Sequence, residues 1–261
     1  MLSKLLKYEI KATGRVFLPV FLALLVFSGI TKLISSYSPQ QWDSTSAILS
    51  MIIYILIMVG MFIMTFVVMI QRFYRNLLSD EGYLMFTLPV KPWKHILSKL
   101  LVSILWMAAS VIVALISILI IAYEKGIITE IIKQFAIMFS QLYQEMGASV
   151  YLLTLEIFIV ILSGLISWIS LIYASIAIGH LFSKHKMLAS FGAFIVLNTL
   201  SQIIFVLISM IPALDNIFNS LFESQLIMEL VFAYGIVLSG LYSTAYFAIT
   251  NYILSKKLNL E

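Results

Sequence analysis

Cysteine is missing from all 261 residues, which excludes disulfides, thiolate metal sites and a cysteine nucleophile and leaves the redox compartment open. Charge is scarce as well: Asp, Glu, Lys and Arg make up 11% of the chain, against roughly 25% in soluble domains. No G-x-x-x-x-G-K-[ST] occurs, so the backbone cradle for nucleotide phosphates is lacking and the chain is not expected to hydrolyse ATP. H-E-x-x-H and the nucleophile elbow G-x-S-x-G are lacking too, and no metal site is expected. The only histidines, His95, His180 and His185, fall at span ends, where His180 with Lys184 reads as a headgroup contact.

What the chain has in abundance is apolar surface, at 62% hydrophobic residues and a mean hydropathy of +1.08. A water-soluble fold cannot hide that much, and a single transmembrane domain over 1–261 is expected. Crossing about 30 Å of hydrocarbon takes about 20 apolar residues in a helix. Runs of that kind lie at 16–34, 47–70, 100–122, 156–182, 187–211 and 226–254. They are continuously apolar, whereas strands of a membrane barrel alternate in polarity, so the expectation is an all-α bundle of six transmembrane helices. The stretch 1–15 mixes Lys4, Lys7, Glu9, Lys11 and Arg15 with leucines and reads as a retained amphipathic helix, not a cleaved signal peptide.

Orientation follows from Lys and Arg in the short loops. Lys4, Lys7, Lys11, Arg15, Arg72, Arg75, Lys91, Lys94, Lys99, Lys184, Lys186, Lys256 and Lys257 fall on one side, thirteen of the 16 basic residues; Lys32, Lys125 and Lys133 fall on the other. Both termini are therefore expected in the cytoplasm, with the protein multi-pass in the cell membrane. The net charge of +4 is accounted for by this topology, and no nucleic-acid partner is expected. A Leu-Ser-Lys or Phe-Ser-Lys tripeptide recurs at 2–4, 97–99, 182–184 and 254–256, and its lysines read as snorkelling to the lipid boundary.

The longest cytoplasmic stretch, 71–99, has more punctuation than a connector needs. Ser79 suits a helix cap, with Asp80 and Glu81 in the first turn where carboxylates match the helix dipole. The helix would run on to Phe86 and stop before Pro89, after which Pro92 opens the next helix, with Trp93 at the interface and Lys94 and Lys99 facing headgroups. Exposed Tyr83, Leu84, Met85 and Phe86 require cover from lipid or protein.

This run, RFYRNLLSDEGYLMFTLPVKPWKHILSK at 72–99, resembles the first cytoplasmic loop of bacterial ABC-2 type permeases, the membrane subunits of ABC exporters. In that family the loop forms a coupling helix that docks on a separate ATPase subunit. The resemblance extends to the rest of the chain in topology only. It implies Asp80, Glu81, Gly82, Tyr83, Leu84, Thr87, Leu88 and Pro89 as the ATPase contact. It further implies an ATPase partner that binds ATP and Mg, a second permease copy or similar permease in a dimer, and no cofactor in this chain. An inner-leaflet anchor would place Lys or Arg, not Asp80 and Glu81, beside the apolar face.

Polar residues inside the spans are few. Glu156 and Glu229 sit near span ends and mark the interface, while Asn198, Ser201 and Gln202 share one face of span five. Asn198, Ser201, Gln202 and Glu156 are candidates for a translocation path. Small residues cluster at Ser163, Gly164, Ser167 and Ser170 in span four and at Ser239, Gly240 and Ser243 in span six, spacings that let helices approach closely, within the bundle or in a dimer. Outside the membrane, Ile128, Ile131, Phe135, Met138, Leu142 and Met146 recur at helical spacing and predict an amphipathic helix; 212–225 is a second outer segment. The expected function is export of a hydrophobic or amphipathic substrate, such as a peptide, lipid or drug. The alternative is a non-transporting immunity or sensing protein that binds peptide or partner proteins.

Overall fold

The computed structural model describes residues 2–37, 45–78, 82, 90–124, 126–182, 184–209 and 226–257. Among them the backbone forms seven helices, α1 (Leu2–Tyr37), α2 (Thr45–Leu78), α3 (Pro92–Ala122), α4 (Ile127–Met146), α5 (Ser149–Gly179), α6 (Lys186–Ser209) and α7 (Leu226–Lys256). All except α4 are long and apolar enough to cross a membrane, so the protein is an all-α membrane bundle with six such helices. Large aliphatic residues such as Leu18, Leu22, Leu56, Ile63, Ile112 and Leu115 are exposed on the helix surfaces, as side chains solvated by lipid are.

The amphipathic stretch at the N-terminus is continuous with the first span: α1 is one helix of 36 residues. Lys4, Lys7, Lys11 and Arg15 lie on its exposed face while Glu9 and Thr13 are buried. Pro19 lies inside the helix and removes one main-chain bond, a loss that transmembrane helices accommodate. Pro92 opens α3, as its missing N–H and fixed φ favour, and the Lys94 N–H closes a turn on the Lys91 carbonyl at 3.0 Å. The outer amphipathic helix is α4, and none of its side chains is buried.

The chain divides into two compact units. Unit 1, Met1–Arg72 with Leu97–Ala136, is built on α1, most of α2 and most of α3. Its core is Phe17, Phe21 and Leu24 of α1, Tyr54 and Met61 of α2, and Val102, Trp106 and Ala114 of α3. The Trp106 ring stacks on Phe17 with centroids 4.5 Å apart. Buried positions recur in steps of three and four along each helix, as Tyr54, Met61 and Thr65 on α2 and Lys99, Ser103, Trp106, Ser110 and Ser117 on α3 show. That repeat is the spacing with which one face of a helix meets a neighbour.

Unit 2 is Phe73–Ile96 with Ile137–Glu261, and its centre is α5, which packs against α6 and α7. Residues 169–177 of α5 are buried without interruption. A helix apolar on every side is one surrounded on every side: Leu171 and Ala174 meet Tyr246 of α7 and Phe194 and Leu197 of α6, while Tyr173 stacks on Phe73 at 4.0 Å. At the end of α5 the approach to α6 is closest. A Cβ on Gly179 would stand 2.5 Å from the Ser190 nitrogen and 2.6 Å from its Cα, both backbone atoms that cannot yield. Gly179→Ala is therefore expected to destabilise the fold by about 1–3 kcal/mol, the usual cost of overpacking. Gly240→Ala, where no atom lies within 4 Å, serves as the neutral control. Thermal unfolding of both variants in detergent checks this, and equal melting temperatures would refute it.

Candidate functional site

Charge buried inside an apolar bundle is the first place to look for function, since ionisable groups at such positions are expensive. In unit 1 α1 presents Glu9 and Thr13, one turn apart, towards Lys99, Ser103 and Trp106 of α3. Lys99 Nζ lies 3.2 Å from Glu9 Oε1, with the lysine side chain 3% exposed and the glutamate 11%. One turn on, the Thr13 hydroxyl donates to the Glu9 carbonyl at 2.7 Å and accepts the Trp106 indole N–H at 2.7 Å. The indole that anchors the apolar core thus also fixes the helix turn carrying the buried carboxylate.

A cavity of about 20 Å³ lies among these groups, lined in addition by Thr65, Met69 and Arg72 of α2. That is space for about one water molecule. Two cations, Lys99 and Arg72, share its wall with one carboxylate. Above it the polar seam continues: Thr65 and Ser110 hydroxyls are 2.9 Å apart, and Tyr54 and Ser117 hydroxyls 2.8 Å apart. Ser103, Ser110 and Ser117 are spaced seven residues apart on α3, one per heptad, and all three are buried. Each bond ties α3 to a neighbour and helps to set the register of the three helices.

The placement of Lys99 corrects the sequence expectation. It does not snorkel to headgroups, because α1 extends as a helix below its apolar run and brings Glu9 against it. For the same reason Glu156 and Glu229 are not the only acids in the spanning helices. A hydropathy window stops at the charges, whereas the three-and-four spacing of Lys99, Ser103, Trp106 and Ser110 runs through them and was the signal available.

Of the ATPase-contact candidates, Asp80, Glu81, Tyr83, Leu84, Thr87, Leu88 and Pro89 lie outside the described residues. Gly82 is described and buried. A Cβ there would stand 2.7 Å from the Leu77 carbonyl oxygen and 2.9 Å from its carbon, main-chain atoms of α2 that leave no room for a side chain. The outer segment 212–225 also lies outside the described residues.

The other candidates fall in unit 2. Ser239 Oγ donates to Ser163 Oγ at 2.8 Å, which brings the small-residue clusters of α7 and α5 together. Ser243 donates back to its own helix at Gly240, and Ser167 is half-buried. A Cβ on Gly164 or Gly240 would meet nothing within 4 Å. Glu156 is half-buried, and its Oε2 has no hydrogen-bond partner among the described residues. Asn198 and Ser201 are half-buried and Gln202 is exposed on α6; the Ser201 carbonyl accepts the Tyr242 hydroxyl at 2.9 Å. By helical rise Glu156 lies ~35 Å from the Gly179 end of α5 and Asn198 ~18 Å from the Lys186 end of α6, so they are not brought together.

His180, just beyond α5, holds its Nδ1 3.2 Å from the Ile176 carbonyl. Burial keeps its pKa below the ordinary value, helped by the Lys186 charge and opposed by that backbone contact. No cluster of three or more metal-ligating side chains occurs among the described residues. No family model, no curated protein and no solved structure matches the chain.

Deleting one member of a buried ion pair leaves the other uncompensated, at a cost of about 3–5 kcal/mol. Lys99→Ala, which takes the cation from the buried Glu9 carboxylate, is expected to lose stability on that scale, and adding Glu9→Ala to it is expected to recover part of the loss. A double-mutant cycle on detergent melting curves measures the coupling. Additive losses would mean that the pair is not an energetic unit.

Proposed function

We propose that the chain is the membrane permease subunit of an ATP-driven exporter that works with a separate ATPase subunit and a second copy of itself or a similar permease. The observation that carries this reading is the segment Asp80–Pro89 between α2 and α3, with its resemblance to the coupling loop of ABC-2 permeases. The described residue of that segment, Gly82, packs tightly on Leu77 of α2. Acidic residues beside an exposed Tyr-Leu-Met-Phe run favour a protein partner over lipid as its cover.

Supporting features come from elsewhere in the chain. No phosphate-binding glycine loop is present, so ATP and Mg would be bound by the partner. The thirteen-to-three distribution of basic residues supports a cytoplasmic position for this loop and both termini in a protein of the cell membrane, where an ATPase would be found. Open space at Gly164 and Gly240 suits the approach of a second permease. Half-buried Glu156 with Asn198 and Ser201 supplies polar groups in unit 2 on which a path would draw.

The experiment is co-expression with the candidate ATPase and reconstitution of the pair in vesicles. Tyr83→Glu with Leu84→Glu is expected to abolish co-purification of the ATPase and to reduce substrate-stimulated ATP hydrolysis at least about tenfold, while the chain still inserts and elutes as a folded species. Unchanged association and hydrolysis in the double variant would refute docking at this loop.

A further inference from the structure

At the end of unit 1 remote from Glu9, α1, α2 and α3 part around a cavity of about 640 Å³, within the roughly 300–1,000 Å³ span of small-molecule sites. Hydroxyls dominate its polar lining. Thr31 donates to the Ser50 carbonyl at 3.4 Å, Ser35 and Ser36 both donate to the Lys32 carbonyl at 2.9 Å, and Ser50 donates to the Ala47 carbonyl at 2.9 Å. With these hydroxyls donating to main chain, their oxygens keep lone pairs to offer a ligand. Glu124, which follows α3, adds a carboxylate to the same wall. Among the described residues the polar lining is therefore mainly acceptors, suited to a ligand group rich in N–H donors.

Among the described residues the cation of the cavity's lining is Lys32, and the same lysine lines a second hollow of about 380 Å³ whose other walls include Ile116, Leu119, Ile120 and Ile128. The sequence of environments is apolar groove, then ammonium, then acceptor basin. A ligand matching it has a hydrocarbon tail, then an anion, then a donor-bearing cation. We propose that this site binds a zwitterionic aminophospholipid of the ethanolamine class, its acyl chain along Ile116 and Ile120, its phosphate at Lys32 and its primary ammonium among Ser35, Ser50 and Glu124. A choline head fits less well, because a quaternary ammonium has no N–H for the hydroxyl oxygens to accept. A glycerol head fits less well, because it brings no charge for Glu124.

Native mass spectrometry of the full chain in detergent, titrated with dioleoyl phosphatidylethanolamine, phosphatidylglycerol and phosphatidylcholine, gives the three Kd values directly. Phosphatidylethanolamine is expected to bind at least about tenfold more tightly than either competitor, the scale of one charge-assisted hydrogen bond. Water-soluble glycerophosphoethanolamine, which has the head without the tail, is expected not to displace it at equal concentration. Lys32→Ala is expected to weaken phosphatidylethanolamine about tenfold, and Glu124→Gln to weaken it while leaving phosphatidylglycerol unchanged. Equal affinity for the three lipids, displacement by the free head, or an unaltered Kd in Lys32→Ala would each overturn the assignment. The lipid comparison needs no variant, so it decides the matter even where a substitution prevents folding. Because the affinities are read on this chain alone, their outcome is separate from that of the ATPase experiment.

Discussion

Hydrocarbon offers no hydrogen bonds, so every polar group that the chain carries into the bilayer must find its partner within the protein. For the backbone the solution is helix. For side chains the solution in unit 1 is pairing across the three-helix seam: Glu9 with Lys99, Thr13 with Trp106, Thr65 with Ser110 and Tyr54 with Ser117. Between lipid-facing helices apolar contact has little driving force, and these pairs make one register of α1, α2 and α3 preferable to others. The apolar residues between them, Phe17, Phe21, Leu24 and Met61, then pack in the register that the polar pairs dictate.

The two units solve the same problem with different means. Unit 1 adds a buried ion pair to its hydroxyl pairs, whereas unit 2 combines hydroxyl bonds at Ser163 and Tyr242 with apolar and aromatic neighbours around α5 and a close backbone approach at Gly179. A seam held by ions and hydroxyls has discrete alternatives, because its members exchange partners or take up a water; an apolar cradle has fewer.

Much of the architecture could be read from residue order alone. Run length marked the six spanning helices, and the three-and-four spacing of Ile128, Ile131, Phe135 and Met138 marked α4, because both patterns are imposed locally by helical geometry. The Glu9–Lys99 pair was missed because its partners are ninety residues apart and each sits at the charged margin of an apolar run, where snorkelling is the ordinary reading. The gathering of Thr31, Lys32, Ser50 and Glu124 around one cavity was hidden for the same reason: it depends on how three helix ends meet, which no local pattern encodes. The coupling-loop candidates rest on sequence, apart from Gly82, whose packing on Leu77 shows why a glycine stands there.

The unbroken course of α1 has a mechanical consequence. At 1.5 Å per residue its 36 residues form a rod ~54 Å long. Its polar ties to α3, at Glu9 and Thr13, both lie within ~17 Å of one end and leave ~36 Å of helix beyond them. A rod held at those two points is an unequal lever: a sideways displacement at the short, lysine-rich arm is returned at the Tyr37 end in the opposite direction and at least about twice as large.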